Sequence, residues 1–170
     1  MTSDFGKLSS FYDLYESPLG KLYLIFTGRV LTGLSFKKPS TVPCKMGSAP
    51  KNFIGELDQY FHGSDKAFRQ KSEFLTGTEF EKRVWMTLND IPYGETRTYK
   101  WMAEKVGSPG AARAVGQALS KNPIPVVIPC HRVIESDGSM GGYSSGVKTK
   151  VRLLEMEYYA KMNMALKGTK

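Results

Sequence analysis

Polar and apolar residues alternate along the first part of the chain. Residues 11–15, 21–26 and 30–36 each show the period of two that is typical of β-strands, and short turns separate the three runs. Residues 39–50 show no such period and are predicted to form a loop. Apolar residues then recur at helical spacing over residues 52–61. The sequence therefore predicts a β-meander followed by one helix.

The pattern becomes helical in the second part of the chain. Thr78, followed three residues later by a glutamate, is a capping-box sequence that predicts the start of a helix. Thr98 predicts the start of another helix over residues 99–106, and residues 111–121 form the next one. Two helices joined by a short turn that contains glycine are typical of a helix-turn-helix. We therefore expect a mostly helical unit here.

The helix predicted over residues 111–121 is nearly bare, because alanine or glycine occupies five of its eleven positions. Gly116 costs about 1 kcal/mol relative to alanine in a helix interior, so a close approach by another group would explain it. That group is either a neighbouring helix or the groove of a nucleic acid. Gln117 is the one side chain on this helix suited to reading a base edge. If the helix binds DNA, we expect little sequence specificity.

Candidate chemistry is concentrated in the tetrapeptide Pro129-Cys130-His131-Arg132. The apolar run at residues 126–128 predicts a buried strand that leads into it. The thiolate is the nucleophilic form of cysteine, and cationic or basic neighbours increase its population. Pro129 stiffens the approach to the cysteine. The alternative is a small buried cysteine beside a histidine that serves packing only.

A carboxylate can be placed relative to the predicted last helix, residues 148–162. Val151, Leu154 and Tyr158 form its apolar stripe, and Glu157 lies at the edge of that stripe. A glutamate in this position is either an ion-pair partner or the group that orients a histidine in a nucleophile-base system.

Composition restricts the function further. The 170 residues are enough for one good core or two small ones, and the net charge of +8 suggests a polyanionic partner, most simply nucleic acid. A basic protein without such a partner is the alternative. No apolar run reaches the ~18 to 20 residues of a membrane span, and no signal peptide is evident.

Two cysteines and two histidines limit the possible covalent and metal chemistry. Cys44 and Cys130 are too few for a disulfide framework, which fits a reduced, intracellular location. We expect the protein in the cytoplasm, or in the nucleus if its source is eukaryotic. The spacing of the cysteines and histidines does not suit a structural zinc site, so we expect no metal and no cofactor.

These motifs together resemble the O6-alkylguanine-DNA alkyltransferases, also called methylated-DNA–protein-cysteine methyltransferases. The resemblance covers nearly the whole chain and is most specific from Gly77 to Glu157. It rests on Pro129-Cys130-His131-Arg132-Val133-Ile134, Ile91-Pro92-Tyr93-Gly94-Glu95-Thr96, Ala112-Arg113-Ala114-Val115-Gly116, Asn122-Pro123-Ile124-Pro125, Ser17-Pro18-Leu19-Gly20 and Tyr60-Phe61-His62-Gly63.

The resemblance implies an α+β fold with two domains. Residues 1–76 would form a small antiparallel-sheet, ribonuclease H-like domain. Residues 77–170 would form a mostly helical domain similar to a winged helix-turn-helix. The implied function is repair of DNA by irreversible, single-turnover transfer of an alkyl group from O6-alkylguanine, and from O4-alkylthymine, to a cysteine, after base flipping. The implied partner is double-stranded DNA, bound by a monomer through the minor groove with little sequence specificity.

The resemblance also assigns roles to residues. Cys130 would be the alkyl acceptor, His131 its base acting through a water molecule, and Glu157 the group that orients the imidazole. Tyr99 would contact the target nucleotide and help the guanine to leave. Asn122 would be the hinge between the DNA-binding helix and the active site.

The remaining roles concern DNA and the alkyl pocket. Arg113 would fill the gap that the extruded base leaves, on a helix that enters the minor groove. A bare helix suits the degenerate readout of that groove. The residues implied to contact DNA are Ala112, Arg113, Gln117 and Tyr99, and those implied to line the substrate pocket are Pro125, Val133, Tyr143 and Ser144. Ser145 replaces a glycine of some relatives and would narrow the pocket loop.

Two other classes of protein are compatible with parts of the pattern. A cysteine hydrolase would also use a Cys-His pair, but it would turn over through an acyl intermediate and would leave the helix-turn-helix unexplained. A regulator or an alkyltransferase-like sensor would explain the helices, but those sensors lack the acceptor cysteine. A permanent gain of mass on Cys130 separates the repair protein from the hydrolase, and sequence-specific footprinting would be needed to support the regulator.

Overall fold

The computed structural model describes residues 9–40 and 45–168. The predicted meander is formed by β1 (Ser10–Ser17), β2 (Gly20–Thr27) and β3 (Val30–Ser35), which pair in antiparallel fashion. A two-residue strand, β4 (Lys45–Met46), adds to the edge of β1 in parallel, so the sheet order is β3-β2-β1-β4. The predicted loop over residues 39–50 is wrong at this strand, which is too short to show a period. Cys44 lies outside the described residues.

One face of the sheet packs against the first helix, α1 (Lys51–Phe61). Leu22, Leu24 and Phe26 alternate along β2 and are fully buried, as expected for a strand with one face on the core. The ring of Phe26 meets that of Phe53 edge-on, with centroids 5.9 Å apart. The predicted meander and helix therefore form a two-layer unit.

Four α-helices lie in the described portion of the second part of the chain, residues 77–168. They are α2 (Glu79–Thr87), α3 (Tyr99–Lys105), α4 (Ala112–Ser120) and α5 (Val147–Lys167), and α2 continues into a 3-10 turn at Leu88–Asp90. The Thr78 capping box and the Thr98 cap are both present as predicted. The Trp85 indole N–H donates to the carbonyl oxygen of Ala118 at 2.8 Å, which ties α2 to α4. None of the described helices is long and apolar enough to cross a membrane.

A second, very small sheet positions the start of α3. Strand β5 (Arg97–Thr98) pairs in parallel with β6 (Val133–Ile134), which directly follows the turn at Cys130–Arg132. Tyr99 is the first residue of α3 and comes directly after β5. The pairing therefore brings Tyr99 close to the segment that carries the cysteine.

The two parts of the chain are joined by hydrogen bonds and by apolar packing. The Leu34 N–H in β3 donates to the Pro123 carbonyl at 2.9 Å, and the Arg152 guanidinium in α5 donates to the Pro18 carbonyl at 2.8 Å. The buried apolar residues of both parts form one continuous cluster. The fold is α+β, with a small N-terminal sheet and a C-terminal helical unit, as predicted. The domain boundary at residues 76 and 77 stays a prediction.

The strand predicted at residues 126–128 is wrong. The Ile128 N–H donates to the carbonyl of Ile124 at 2.9 Å, so the chain turns there. Val126 has a φ of 74°, in the left-handed region that β-branched residues rarely adopt. All three side chains of the run are buried. An apolar run reports burial and not conformation, which is why a buried turn resembled a buried strand.

The apolar stripe predicted for the last helix is also wrong. Tyr158 is 55% exposed, and the buried positions of α5 are Lys150, Leu153 and Glu157. Two of these three are charged residues, which a hydropathy pattern assigns to the surface. They are buried because partners inside the protein satisfy their charges, such as Arg132 for Glu157.

The capping box gives a test of the fold. Thr78 Oγ1 accepts from the Glu81 N–H at 3.2 Å. We expect Thr78→Ala to lower the free energy of unfolding by about 1 kcal/mol, measured by urea denaturation, because loss of the threonine hydroxyl leaves the Glu81 N–H without its acceptor. Thr87→Ala is the control, since that hydroxyl only donates to the Arg83 carbonyl within the same helix. It should change stability by less than about 0.5 kcal/mol. Equal losses would contradict the role of the cap.

Candidate active site

The cysteine lies in a 3-10 turn, Cys130–Arg132, between the buried turn at residues 126–128 and β6. Its side chain is 3% exposed and lines a cleft of about 580 Å³. The Cys130 N–H donates to the Ile128 carbonyl at 2.8 Å, which fixes the backbone at the thiol. The tight turn therefore presents Cys130 to the cleft while keeping it nearly out of contact with solvent.

The cleft brings together most of the residues that the sequence singled out. Helix α4 supplies one wall, the loop before α5 supplies another, and Tyr99 stands between them. The lining residues are Tyr99, Ala112, Arg113, Gly116, Gln117, Leu119, Ser120, Cys130, Glu135, Gly142, Tyr143 and Ser144.

Gly116 faces this cleft. A Cβ atom built on it would lie 3.7 Å from the Tyr99 ring, an ordinary contact distance, and would meet no neighbouring helix closer than that. Packing against another helix therefore does not require this glycine. Gly141 is different, because its φ is +67° and a Cβ there would approach the Tyr99 hydroxyl to 2.7 Å. The position of Tyr99 thus depends on a glycine in the opposite loop.

His131 and Glu157 form a hydrogen-bonded pair that is fully buried. Nε2 of His131 lies 2.7 Å from Oε1 of Glu157, and the nitrogen is the donor because a carboxylate only accepts. Arg132 binds the same carboxylate with two N–H groups, at 2.9 Å to Oε2 and 3.0 Å to Oε1. The Nδ1 atom of His131 is buried and has no hydrogen-bond partner among the described residues. The structure therefore brings the predicted cysteine, histidine and glutamate to one place.

Burial and charge set the protonation of this pair. Burial alone raises the pKa of Glu157, but interactions with His131 and Arg132 outweigh it and hold the pKa well below its usual range. Burial lowers the pKa of His131, although Glu157 opposes that shift. Because the imidazole is neutral near pH 7, the Arg132 guanidinium is the group that keeps Glu157 charged. His131 is thus a neutral base held by a carboxylate.

Burial and neighbouring polar groups shift the pKa of the Cys130 thiol in opposite directions. Burial raises the pKa of Cys130, while the Asn122 amide, the Lys150 ammonium and the Tyr143 hydroxyl act to lower it. Tyr143 is close enough to influence the thiol, but its buried hydroxyl forms no regular hydrogen bond with any described residue. The net pKa is above the usual value. The resting cysteine is therefore mainly a thiol, and reaction requires a base.

Asn122 supports the turn that carries the cysteine. Its Nδ2 donates to the Ile128 carbonyl at 2.8 Å, and its Oδ1 accepts from the Ile124 N–H at 3.0 Å. Pro125 lies beside it in a separate small cavity of about 150 Å³, and Ser144 borders both that cavity and the main cleft. Val133 is fully buried in β6 and does not line the cleft. The pocket roles of Pro125 and Val133 stay predictions.

Comparison with known proteins identifies the family. The family model described as "6-O-methylguanine DNA methyltransferase, DNA binding domain" matches residues 79–159, and the one described as "6-O-methylguanine DNA methyltransferase, ribonuclease-like domain" matches residues 10–72. A methylated-DNA–protein-cysteine methyltransferase of Mycobacterium leprae is 47% identical over 84% of this chain and 88% of that protein. One of Methanosarcina barkeri is 44% identical over 86% of this chain and 96% of that protein.

Solved structures agree with the sequence relatives. The O6-methylguanine methyltransferase of Mycobacterium tuberculosis superposes with a TM-score of 0.83 at 40% identity, over 89% of this chain and 94% of that chain. A structure of Mycobacterium tuberculosis OGT in complex with DNA gives a TM-score of 0.83 at 40% identity, over 88% of this chain and 94% of that chain. The chain belongs to the methylated-DNA–protein-cysteine methyltransferase family.

Sequence reasoning missed three residues that this member of the methyltransferase family places around its cysteine. Arg132 was noted only as a neighbour of His131, although it is the counter-ion of Glu157. Tyr60 was part of a matching motif, and its hydroxyl donates to Glu157. Lys150 gave no signal in the sequence, because only the fold reveals that it is buried.

Lys150 connects the loop before α5 to the thiol. The side chain is 1% exposed, and its ammonium donates to the carbonyl oxygens of Met140 and Gly142. The same Nζ lies 5.8 Å from the centroid of the Tyr99 ring. A buried cation held in this way favours the thiolate of Cys130. Among the described residues, no group of three or more His, Cys, Asp or Glu side chains could hold a metal ion.

Lys150 gives a test of the electrostatics. We expect Lys150→Met to move the pH profile for alkylation of Cys130 by iodoacetamide to higher pH, because the cation that lowers the pKa of the thiol is lost. A shift of about one pH unit would slow the reaction about tenfold at neutral pH. The rate is followed by peptide mass mapping of Cys130. Lys148→Met, on an exposed position of the same helix, is the matched control. Identical profiles for both variants would contradict the assignment.

Proposed function

We propose that this protein repairs alkylated DNA by moving the alkyl group of O6-alkylguanine, and of O4-alkylthymine, onto Cys130. The observation that supports this most strongly is a nearly buried cysteine at the inner end of a cleft walled by the bare helix α4, beside a buried His131–Glu157 pair. A related protein has been solved in complex with DNA. The proposed partner is accordingly double-stranded DNA that carries the lesion.

The proposed reaction is a displacement at the alkyl carbon. His131 takes the thiol proton through a water molecule, and the thiolate sulfur forms a bond to the carbon as the bond from that carbon to O6 breaks. The electron pair stays on the guanine, which takes a proton from the Tyr99 hydroxyl. Burial, Glu135 and Cys130 raise the pKa of Tyr99, so this hydroxyl is protonated at neutral pH and can donate.

The product explains why one protein molecule would repair one lesion. An S-alkyl cysteine is a thioether with no hydrolysable bond, and no step of the mechanism regenerates the thiol. A hydrolase that used the same Cys-His pair would instead pass through an acyl intermediate that water could cleave. The proposed reaction is therefore single turnover.

The damaged base has to leave the DNA duplex before it can reach Cys130. The cysteine is 3% exposed and lies inside the cleft, so a base that stays stacked in a duplex would not reach it. Arg113 and Gln117 are exposed on α4 at the cleft. We propose that α4 enters the minor groove, that Arg113 fills the gap in the stack, and that a monomer binds with little sequence specificity.

The first test concerns Cys130. Wild-type protein incubated with a duplex that contains O6-methylguanine should gain the mass of one methyl group on Cys130, measured by intact and peptide mass spectrometry. Cys130→Ser should show no gain but should still fold and bind the duplex, because a serine hydroxyl is a far weaker nucleophile than a thiolate. A label mapped to Cys44, or transfer by Cys130→Ser at the wild-type rate, would refute the proposal.

The second test concerns Arg113 and base flipping. We expect Arg113→Ala to slow repair of duplex DNA at least about tenfold more than it slows reaction with free O6-benzylguanine, because only the duplex requires extrusion. Arg69→Ala is the control, since it makes the same change of charge at an exposed arginine outside the cleft. Equal losses on both substrates would show that Arg113 serves the chemistry or the fold.

A further inference from the structure

Tyr60 connects the N-terminal part of the chain to the candidate active site. It lies in α1, is 2% exposed, and its hydroxyl donates to Oε1 of Glu157 at 2.7 Å. The same oxygen accepts from Nε2 of His131 at 2.7 Å. The Arg132 guanidinium also donates to this oxygen, at 3.0 Å. Because three donors meet at one atom, Tyr60 helps to set the position of the oxygen that His131 contacts.

The direction of the Tyr60 hydroxyl is fixed by aromatic packing. The ring centroid of Tyr60 lies 5.1 Å from that of Phe61, 5.5 Å from that of Phe68 and 5.9 Å from that of Tyr93. Rings packed on several sides leave the side chain little freedom to rotate. The hydroxyl is therefore a pre-oriented donor, unlike a donor on a flexible surface side chain.

Tyr60 does not supply the charge that keeps Glu157 ionised. Arg132 supplies it through two hydrogen bonds, and the Gly94 N–H donates to Oε2 at 3.2 Å. Burial raises the pKa of Tyr60 well above its usual value, so the phenol stays neutral and donates at all physiological pH values. Tyr60 therefore contributes to the orientation of the Glu157 carboxylate and not to its charge.

The remaining charged and titratable groups that act on the pair are few among the described residues. Tyr93 and Tyr143 interact electrostatically with Glu157, and Lys150 interacts with His131. Tyr93 and Tyr143 have pKa values raised first of all by burial and are neutral near pH 7. None of these three forms a hydrogen bond to Glu157, so among the described residues Tyr60 is the one neutral side chain other than His131 itself that donates to the carboxylate.

We propose that Tyr60 is a positioning residue that holds Glu157, and through it His131, in the geometry needed for proton removal from Cys130. The N-terminal part of the chain then completes the active site and is more than a support for the helical part. This proposal rests on the proposed alkyl transfer to Cys130, since it assigns Tyr60 a place in the same proton-transfer chain.

Removal of the hydroxyl has two consequences with a defined sign. Oε1 of Glu157 loses the hydrogen bond from Tyr60, so its negative charge interacts more strongly with His131. A stronger negative charge favours the imidazolium form, which raises the pKa of His131. A base must be neutral to accept a proton, so the acidic limb of the rate profile moves to higher pH. The carboxylate is also oriented less firmly, which lowers the rate on the plateau of the profile.

The experiment compares Tyr60→Phe with Tyr15→Phe. Tyr15 is a matched control, because its hydroxyl donates to Asp58 at 2.7 Å and not to Glu157, and its ring stacks on Phe61. Both variants keep the aromatic ring and lose one hydroxyl that donates to a carboxylate. All proteins carry Cys44→Ser, so that Cys130 is the one thiol. Reaction is followed by mass spectrometry with an O6-methylguanine duplex and, separately, with iodoacetamide across a pH series.

We expect Tyr60→Phe to react about tenfold more slowly with both reagents, as loss of a hydrogen bond to a charged group predicts, and to show an acidic limb at higher pH. Its affinity for undamaged duplex should equal that of the wild type. Tyr15→Phe should keep the wild-type rates and profile, although both variants lose thermal stability. An unchanged pH profile in Tyr60→Phe, or equal effects in both variants, would overturn the positioning role.

The two reagents separate this inference from the proposed function. A wild type that gains no methyl group from the duplex would refute the alkyl transfer, while the iodoacetamide profile would still show whether Tyr60 controls the thiol. A wild type that is methylated, together with a Tyr60→Phe variant that is methylated at the same rate, would refute only the inference.

Discussion

The buried carboxylate of Glu157 is the constraint on which the rest of the site depends. A carboxylate without partners in a protein interior costs several kcal/mol, so burial is possible only if donors surround it. Glu157 accepts hydrogen bonds from Tyr60, Gly94, His131 and Arg132, which come from three separate segments of the chain. Folding therefore has to bring these segments together before the charge is compensated. The same requirement fixes the imidazole next to the cysteine.

This arrangement explains why the small sheet and the helical part share one core. Helix α1 packs on the sheet and also carries Tyr60 to Glu157 in α5. The Leu34 N–H of β3 reaches the Pro123 carbonyl, next to the Asn122 that holds the turn before the cysteine. The first contact reaches the carboxylate that binds His131, and the second reaches the segment that leads to Cys130. A displacement of the sheet would therefore move groups that hold His131 and the turn before Cys130.

The cleft depends on residues that keep space open. Helix α4 contributes small residues such as Ala112 and Gly116 to its wall, beside the longer Arg113 and Gln117. Gly116 faces Tyr99 without any packing need for a glycine. Gly141 has a positive φ and leaves room for the Tyr99 hydroxyl. The Lys150 ammonium holds the carbonyls of the loop in which Gly141 lies. An open, pre-formed cleft of this kind suits a flat aromatic ligand such as a nucleobase.

The local sequence determined much of this protein by itself. Strand alternation, the Thr78 and Thr98 caps and the bare helix depend on neighbours in sequence, and the structure contains each of them. The motif around Cys130 was sufficient to indicate the family, because those residues are contiguous. The assignment of functional roles to Tyr99, Arg113 and the other site residues stays a prediction.

Only the tertiary structure decided which charged residues are buried. Lys150 and Glu157 lie on the inner face of α5, where a hydropathy pattern expects Tyr158. The partners of Glu157 come from segments that no local window contains, and Lys150 is held by loop carbonyls whose position depends on the fold. The same reason applies to Val126, whose left-handed turn is enforced by burial on all sides and not by its own preference. Sequence patterns record which side chains are apolar. The fold alone determines which polar side chains have enough hydrogen-bond and ion-pair partners to be buried with the apolar ones.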